Sequence, residues 1–305
     1  MRLVVLSNKE IGGRAFVRWL RETAVDIDIL HDRQLCQSET DTNHAITHIR
    51  SLNPDLIMVR ALPPVTPDER TTYHRFQRMC HTLSETLEFF DPPDAWELEY
   101  DKARMHKAFE AAGLPLPETR LVSNFSELDK ARLFATELGF DKVLVKPNRG
   151  ADGRGVAKPA SEAAFDEAVT SILSSGDQAI VQRYIQTEQQ GVSSLRIMCV
   201  GTEVVLTMYC KEFDLLISNS GPELKILSPS DDLRQMSETV AAVSGLNFSG
   251  IDILQDLDGK YWVIENNSSP SFRILIRSGT DLNPMREKLL SKCRELAGKK
   301  EKSNG

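Results

Sequence analysis

Short apolar runs alternate with amphipathic stretches in the first third of the chain. The apolar runs predict strands, and stretches with apolar residues three and four positions apart predict helices. In chain order these are strand RLVVLS (2–7), helix RAFVRWLRETA (14–24), strand VDIDILH (25–31), helix HAITHIRSLN (44–53) and strand PDLIMVRA (54–61). Strands that alternate with helices favour a parallel sheet. We therefore expect an α/β domain over residues 1–92, ending where Pro92 and Pro93 interrupt the chain.

The alternation continues through the middle of the chain. The predicted order is helix DKARMHKAFEAAG (101–113), strand PETRLV (117–122), helix SELDKARLFATELG (126–139), strand KVLVKP (142–147), helix EAAFDEAVTSILSS (162–175) and strand AIVQRYI (179–185). Gly113 stands where a left-handed residue commonly ends a helix. These elements predict a central domain over residues 93–183.

The last third of the chain has neighbouring strands with no helix between them. The predicted elements are strands SLRIMCVG (194–201) and EVVLTMYCKE (203–212), helix DDLRQMSETVAAVSG (231–245), hairpin GIDILQDLDGKYWVIEN (250–266) and helix PMREKLLSKCRELAG (284–298). Asp258-Gly259 is a strong hairpin-turn signal. We expect an α+β lobe over residues 184–297 with a mixed or antiparallel sheet. The last eight residues, GKKEKSNG (298–305), are expected to be disordered.

Composition narrows the class of protein. The net charge is −7 and the chain has no dense block of lysine and arginine, which argues against a nucleic-acid partner. No apolar run approaches the ~20 residues that a membrane span needs. Polar residues follow the first apolar run too soon for a signal peptide. Five cysteines without a CxxC pair favour a reducing compartment, so we expect a soluble, cytoplasmic protein.

A glycine-rich loop, KPNRGADGRGVAK (146–158), matches neither common nucleotide motif. Gly150 and Gly155 have the spacing of a P-loop, but Val156 and Ala157 follow in place of Lys-Ser. A dinucleotide-binding loop would need a third glycine after Gly155. What remains is a strand, a glycine loop and a second short strand, whose backbone amides can close over phosphates. A flexible surface hairpin is the alternative.

Two lysines occupy positions that favour a nearby anion. Lys146 ends an apolar strand, and Lys102 opens a helix, where the helix dipole disfavours a cation. For either lysine alone, a solvated surface position is the simpler interpretation.

The hairpin places acids where its buried strands end. Asp252 and Glu265 lie on opposite strands, about 5 Å apart if they face one another across the hairpin. Glu265 and Asn267 share a face of the strand, whereas Asn266 points away. Two carboxylates and one amide oxygen are ligands suited to Mg²⁺ held together with phosphates. The alternative is a solvated polar end of a hairpin.

The order of these motifs resembles the ATP-grasp superfamily, and more narrowly the branch of glutathione synthetase and the RimK-like ribosomal-protein glutamate ligases. The resemblance covers roughly residues 95 to 295, and the first lobe is similar to the pre-ATP-grasp domain of that branch. It implies an ATP-grasp fold with a central lid domain and ATP-binding residues Lys102, Lys146, Gly150, Gly153, Gly155, Gln182, Arg183, Tyr184, Ile185 and Glu188. It also implies that Asp252, Glu265 and Asn267 hold Mg²⁺, with two ions expected and Mn²⁺ as a substitute.

The chemistry implied by the resemblance is ADP-forming carboxylate-amine ligation through an acylphosphate. Phosphoryl transfer leaves little covalent work for the protein, so positioned cations carry the catalysis. The implied catalytic residues are Lys211, Arg196 and Arg273, and the implied substrate-binding residues are Arg60, Asn219 and Ser271. The expected substrates are a small carboxylic acid and an amine on an amino acid, a peptide or a protein, and a homo-oligomer is a further expectation.

The acceptor end of the chain departs from the branch. Lys211 stands where the branch has arginine, Ser194 where it has an acidic residue, and Gly221-Pro222 where it has two glycines. We infer that the partners differ from those of the ribosomal-protein ligases. An ATP-grasp phosphotransferase and a nucleotide-binding protein without turnover remain as alternative functions.

Overall fold

The computed structural model describes residues 1–7, 11–21, 26–60, 67–150, 153–188, 192–212, 223–270 and 279–303. Within these residues three sheets are present, each belonging to one predicted lobe. The described helices include none that is both long enough and apolar enough to cross a membrane.

The first lobe is built on a parallel sheet of order β2-β1-β3, as predicted. Its elements are β1 (Arg2–Ser7), α1 (Ile11–Arg21), β2 (Asp26–His31), α2 (Asp32–Leu35), α3 (Glu39–Ser51), β3 (Leu56–Arg60), α4 (Pro67–Ser84) and α5 (Pro93–Tyr100). The long α4 was not predicted, because most of its residues are polar and only a narrow stripe containing Phe76, Met79 and Leu83 is buried.

The central lobe carries a small antiparallel sheet of order β4-β6-β5. Its elements are α6 (Lys102–Ala111), β4 (Thr119–Val122), α7 (Leu128–Leu138), β5 (Val143–Pro147), α8 (Glu162–Ser174) and β6 (Ala179–Arg183), with 3-10 turns at Phe125–Glu127 and Phe140–Lys142. Side-chain caps fix the start of two helices: Asp101 accepts from the Arg104 amide, and Ser161 from the Ala164 amide.

The C-terminal lobe is an antiparallel sheet of order β11-β10-β7-β8-β9. Its elements are β7 (Val192–Val200), β8 (Glu203–Glu212), β9 (Glu223–Leu227), α9 (Asp231–Ser244), β10 (Phe248–Gln255), β11 (Tyr261–Asn267) and α10 (Asn283–Ser303). Helix α10 continues as far as Ser303, into the segment for which disorder was expected. Its last turns are rich in lysine and glutamate, which are good helix formers.

The cores explain how the lobes are held together. One face of the first sheet packs with α1, α10 and strands of the C-terminal sheet, including Met198 and Phe248, in one continuous core. The central lobe has a core of its own around Phe165. Burial of each such side chain contributes about 1.5–3 kcal/mol.

Helix α6 is anchored to the C-terminal lobe. Its Met105 and Phe109 pack with Ile251 and Val263 of the hairpin strands, which fixes the helix whose first residue is Lys102. The domain boundaries at residues 92 and 183 stay predictions.

Candidate active site

A cleft lies between the central sheet and the C-terminal sheet. Strands β5 and β6 line one side and β10 and β11 the other, so that two antiparallel sheets enclose it. Its apolar wall consists of Leu144, Val156, Ile185, Leu254 and Ile264. An apolar slot between two sheets, with polar groups at one end, is the usual form of a nucleotide-sized site.

The two predicted lysines lie on the same cleft. Lys146 is 8% exposed, and its Nζ donates to Oε1 of Gln182 at 2.9 Å. Burial lowers the pKa of Lys146 to about 8; the charge of Lys102 acts in the same direction and that of Glu265 opposes it. Lys102 Nζ donates to the carbonyl of Gly150 at 2.6 Å, which ties the start of α6 to the glycine loop.

Gln182 to Ile185, expected to bind ATP as the hinge between the two lobes, lie at the end of β6 and just after it. The amide of Arg183 donates to the carbonyl of Glu118, and that of Tyr184 to the carbonyl of Lys142, both at 2.8 Å. These bonds hold the strand end against its neighbours, while Gln182, Arg183, Tyr184 and Ile185 all line the cleft.

The glycine loop returns to β5 as predicted. The backbones of Val145 and Ala157 exchange two hydrogen bonds of 2.8 Å. Gly153 and Gly155 have φ of 68° and 74°, in the left-handed region that favours glycine. A side chain at Gly155 would also meet the Pro147 ring at 3.3 Å. The loop therefore needs both glycines to turn back beside the cleft.

The predicted metal ligands meet on the hairpin. Asp252 and Glu265 are direct cross-strand partners. The amide nitrogen of Asn267 lies 3.3 Å from Asp252 Oδ2 and 3.2 Å from Glu265 Oε1. Asn266 points the other way, as predicted, and donates to the Ser244 hydroxyl at 2.8 Å.

The charges around the two acids differ. Burial raises the pKa of Asp252, and Arg196 opposes that shift. Burial also acts to raise the pKa of Glu265, but the charges of Lys102 and Lys146 outweigh it, so that the pKa is lowered. The two carboxylates and, once its side-chain amide turns over, the oxygen of Asn267 form an oxygen donor set of the kind that Mg²⁺ prefers. The residues present therefore fit a magnesium ion, which would relieve the repulsion between the acids.

A β-bulge shapes this end of the cleft. Asp252 pairs with Glu265 and Ile253 with Val263, so Ile264 is the extra residue in β11. In a regular strand Ile264 and Glu265 would face opposite sides. Here both line the cleft, and the apolar wall therefore reaches Glu265, one of the predicted metal ligands.

Comparison with known proteins identifies the family of this chain. A family model described as the RimK-like ATP-grasp domain matches residues 99–288. The chain belongs to the RimK-like ATP-grasp family. The sequence-based resemblance to ATP-grasp proteins is thereby confirmed.

Individual relatives agree with the family. A probable alpha-L-glutamate ligase of Marinomonas sp. (strain MWYL1) is 27% identical over 284 residues, which cover 87% of this chain and 89% of that protein. The structure of the ATP-grasp ligase PsnB complexed with minimal precursor, Mg and ADP has a TM-score of 0.68 at 18% identity, covering 96% of this chain and 97% of that one. D-cycloserine synthetase DcsG has a TM-score of 0.71 at 16% identity, covering 98% of this chain and 100% of that one. The protein is an ATP-dependent carboxylate-amine ligase of the ATP-grasp fold. The ATP-grasp family uses ATP and Mg²⁺.

Of the residues expected to be catalytic in this ATP-grasp ligase, two are described. Arg196 Nε lies 2.7 Å from Asp252 Oδ1, and Arg196 therefore stands directly beside the predicted metal ligands. Lys211 Nζ lies 3.3 Å from Glu188 Oε2, and the Tyr209 hydroxyl donates to the other oxygen of Glu188 at 2.9 Å. The hydrogen bond from Tyr209 is the larger cause, and that from Lys211 the next, of a lowered pKa of Glu188. The Glu188 carboxylate therefore stays ionised and accepts both bonds.

The residues expected to bind substrate fall in two groups. Asn219 and Ser271, like the catalytic candidate Arg273, lie outside the described residues. Arg60 is described and is only 6% exposed. Its guanidinium donates to the carbonyls of Ser268 at 2.8 Å and Pro270 at 3.1 Å. Its role in substrate binding stays a prediction.

Two functional candidates were missed by the sequence analysis. Arg154 lines the cleft between the two left-handed glycines. Lys158 Nζ lies 3.6 Å from the centroid of the Tyr184 ring, a cation–π contact between the end of the glycine loop and the hinge. The signal was available, since both cations lie within a loop already expected to cover phosphates.

Proposed function

We propose that the protein activates a carboxylic acid with ATP and joins it to an amine through an acylphosphate. A carboxylate oxygen attacks the γ-phosphorus of ATP, and the bond from that phosphorus to ADP breaks. The amine nitrogen then attacks the acyl carbon and loses a proton, and phosphate leaves with the electron pair of the C–O bond. The observation that carries the proposal is Glu265, which lines one cleft together with Lys102 and Lys146 and is joined to Asp252 through the side-chain amide of Asn267.

The nucleotide end of the cleft supports a definite set of roles. Lys102 and Lys146 would bind the α- and β-phosphates, under a lid formed by Gly150, Gly153 and Gly155. Residues 182–185 would hold the adenine, and Glu188 the ribose hydroxyls. The donation from Gln182 to Thr119 (2.9 Å) fixes the amide that orients Lys146, so the buried ammonium is already placed before nucleotide binds.

Asp252, Glu265 and Asn267 would hold two Mg²⁺ ions, and Mn²⁺ would substitute for them. Bound metal would draw charge from the phosphate oxygens during transfer. Arg196, Lys211 and Arg273 would supply the remaining positive charge around the transferred group. Loss of one preorganised hydrogen-bond donor to developing charge typically costs about 10²–10³ in turnover.

The substrates are proposed by class. The acid is an amino acid or another small carboxylic acid, and the amine belongs to an amino acid, a peptide or a protein. Arg60, Asn219 and Ser271 are the proposed substrate contacts. The relatives support this range of substrates, because they include a probable alpha-L-glutamate ligase and a ligase complexed with a minimal precursor. A cytoplasmic location and a homo-oligomeric state also stay predictions.

The experiment that tests the proposal is a hydroxylamine trap. The protein is incubated with Mg²⁺, ATP, hydroxylamine and pools of amino acids, small acids and peptides, and both the nucleotide product and any hydroxamate are identified by mass. ADP together with a hydroxamate is expected, and it would identify the acid. AMP would overturn the mechanism.

Two other outcomes separate the alternative functions. A stable phosphorylated product that does not react with hydroxylamine would indicate a phosphotransferase. Tight ATP binding with no turnover in any pool would favour a nucleotide-binding protein without catalysis. Glu265→Gln, assayed in parallel, shows whether any ADP formed comes from this site.

A further inference from the structure

The three residues that follow the metal ligands, Ser268–Pro270, are held from the first lobe of the protein. The Ser268 amide donates to Oε2 of Glu99 on α5 at 2.8 Å. The carbonyls of Ser268 and Pro270 accept from the two terminal nitrogens of Arg60, at the end of β3, at 2.8 and 3.1 Å. Both contacts join residues more than 160 positions apart in the chain.

Arg60 is itself held firmly. Its guanidinium carbon lies 4.3 Å from the centroid of the Phe16 ring and 6.0 Å from that of Phe248. Burial lowers the pKa of Arg60 to about 10, so the side chain is still charged at neutral pH. A buried arginine stacked on aromatic rings has little freedom, and the two carbonyls that it bonds are therefore fixed in space.

Strands β10 and β11 form the hairpin that carries Asp252, Glu265 and Asn267, called the metal hairpin below. Its other end is held in the same way. Asp91 accepts from the amide of Asn247 at 2.6 Å, just before β10 begins, and the Asn247 side chain donates to the Phe90 carbonyl at 2.5 Å. The start of β10 and the end of β11 are thus both bound by residues from the first lobe and its linker. The strands between them carry Asp252, Glu265 and Asn267.

Pro270 also packs tightly on β10. A Cβ atom added at Gly250 would lie 2.7 Å from Pro270 Cβ. The Asn267 amide lies 3.5 Å from the Gly250 carbonyl, so the metal ligand and the packed proline touch the same residue. A shift of Ser268–Pro270 would therefore move Asn267.

We propose that Glu99 and Arg60 are positioning residues of the metal site, which fix the end of β11 so that Glu265 and Asn267 are preorganised to hold a divalent cation. This assignment rests on the ATP- and metal-dependent function proposed above. It gives Arg60 a role through the protein backbone, as the alternative to the substrate contact proposed for it above. Groups that orient metal ligands typically change metal affinity about 10–100-fold when they are removed.

The test measures Mn²⁺ binding in the presence of ADP, by electron paramagnetic resonance of the free ion. Glu99→Leu and Arg60→Met are expected to raise the Kd for Mn²⁺ about tenfold or more. Glu99→Gln is expected to stay near wild type, because its amide oxygen can still accept from the Ser268 amide. Glu97→Leu on the same helix, whose carboxylate bonds His81, and Arg50→Met, an exposed arginine that donates to the Thr82 carbonyl, are the matched controls.

A second readout needs neither metal nor nucleotide. In the apo protein, hydrogen–deuterium exchange of the β11 amides is expected to be faster in Glu99→Leu than in Glu99→Gln, with exchange in the central lobe unchanged. This comparison keeps the inference testable if Arg60→Met does not fold.

The outcomes distinguish this inference from the proposed function. Wild-type affinity for Mn²⁺ in a folded Glu99→Leu variant would overturn the positioning role alone. Failure of the wild-type protein to bind Mn²⁺ with ADP would overturn the nucleotide site and this inference with it. A raised KM for an acid substrate in Arg60→Met, with Mn²⁺ affinity unchanged, would return Arg60 to substrate binding.

Discussion

The Arg196 guanidinium spans both carboxylate oxygens of Asp252, with Nε 2.7 Å from Oδ1 and Nη2 2.8 Å from Oδ2. The two residues are cross-strand partners on β7 and β10, and Glu265 is the partner of Asp252 on its other side. Asp252 is therefore oriented by an arginine on one strand while it faces a second acid on the next. The negative charge of Asp252, in turn, raises the pKa of Arg196 and keeps it protonated.

We expect Arg196→Lys to lower kcat by about 10–100-fold, because an ammonium group cannot bond both oxygens and the carboxylate loses its fixed orientation. The KM for ATP should change little, since Lys146 and Lys102 remain. Steady-state release of ADP measures both constants. Arg234→Lys, on the exposed face of α9, is the matched control. Wild-type kcat in Arg196→Lys would show that the two-pronged contact has no part in turnover.

Replacing Glu265 by glutamine is expected to reduce turnover at least about 10²-fold, the usual cost of losing one preorganised electrostatic group. The change keeps the shape of the side chain and removes its charge. Asp258→Asn, an equivalent change at the exposed hairpin turn, should leave turnover unaltered. Near-normal turnover in Glu265→Gln would remove Glu265 from the metal site.

The pKa of Lys146 predicts how nucleotide binding depends on pH. In the nucleotide-free protein, burial lowers this pKa to about 8, and only the protonated lysine attracts phosphate. The Kd for a non-hydrolysable ATP analogue should therefore be flat below pH 8 and rise above it, by up to about tenfold per pH unit. Calorimetric titrations between pH 6.5 and pH 9.5, at roughly half-unit steps, would show the change.

Two variants test whether this pH dependence comes from Lys146. In Lys146→Arg the rise should disappear, because arginine stays charged over the whole range. Lys146→Ala should bind nucleotide more weakly at every pH while keeping the fold, and Lys142→Ala on the protein surface should behave like wild type. An unchanged rise in Lys146→Arg would assign it to another group.

The facing of Asp252 and Glu265 was predicted correctly from the sequence, although the hairpin differs from the one assumed. A turn centred between Asp258 and Gly259 pairs these two acids directly. The observed turn is longer, with the Asp256 amide donating to the Lys260 carbonyl, and its register alone would place Ile264 opposite Asp252. The bulge at Ile264 shifts the register by one residue and restores the pair. Bulges leave no reliable mark on a single sequence, so this compensation could not be foreseen.

Local patterns predicted most elements; the elements that were missed have narrow or weak patterns, and the contacts that were missed are long-range. The buried stripe of α4 has helical spacing and could have been recognised, whereas β9 is a partly exposed edge strand with little pattern of its own. The contacts of Arg60 and Glu99 with Ser268 depend on how the first and last lobes pack together. The nearest signal in the sequence is that Glu99 shares a helix face with Trp96, which is fully buried.

Gly250→Ala tests the packing that ties the metal hairpin to the residues after it. The added methyl would lie 2.7 Å from Pro270 Cβ, closer than two carbons can approach, so Pro270 or β10 must move. We expect a loss of about 1–3 kcal/mol in the free energy of unfolding, as for other overpacked sites, measured by urea denaturation. Gly298→Ala is the matched control, for which the free energy of unfolding should change in the opposite direction. Gly298 lies inside α10, and a Cβ added there would have nothing within 4 Å. Alanine should therefore stabilise the protein by up to about 1 kcal/mol. Unchanged stability and unchanged Mn²⁺ affinity in Gly250→Ala would mean that Pro270 can shift without moving Asn267, and that the metal ligands are held by their own strand alone.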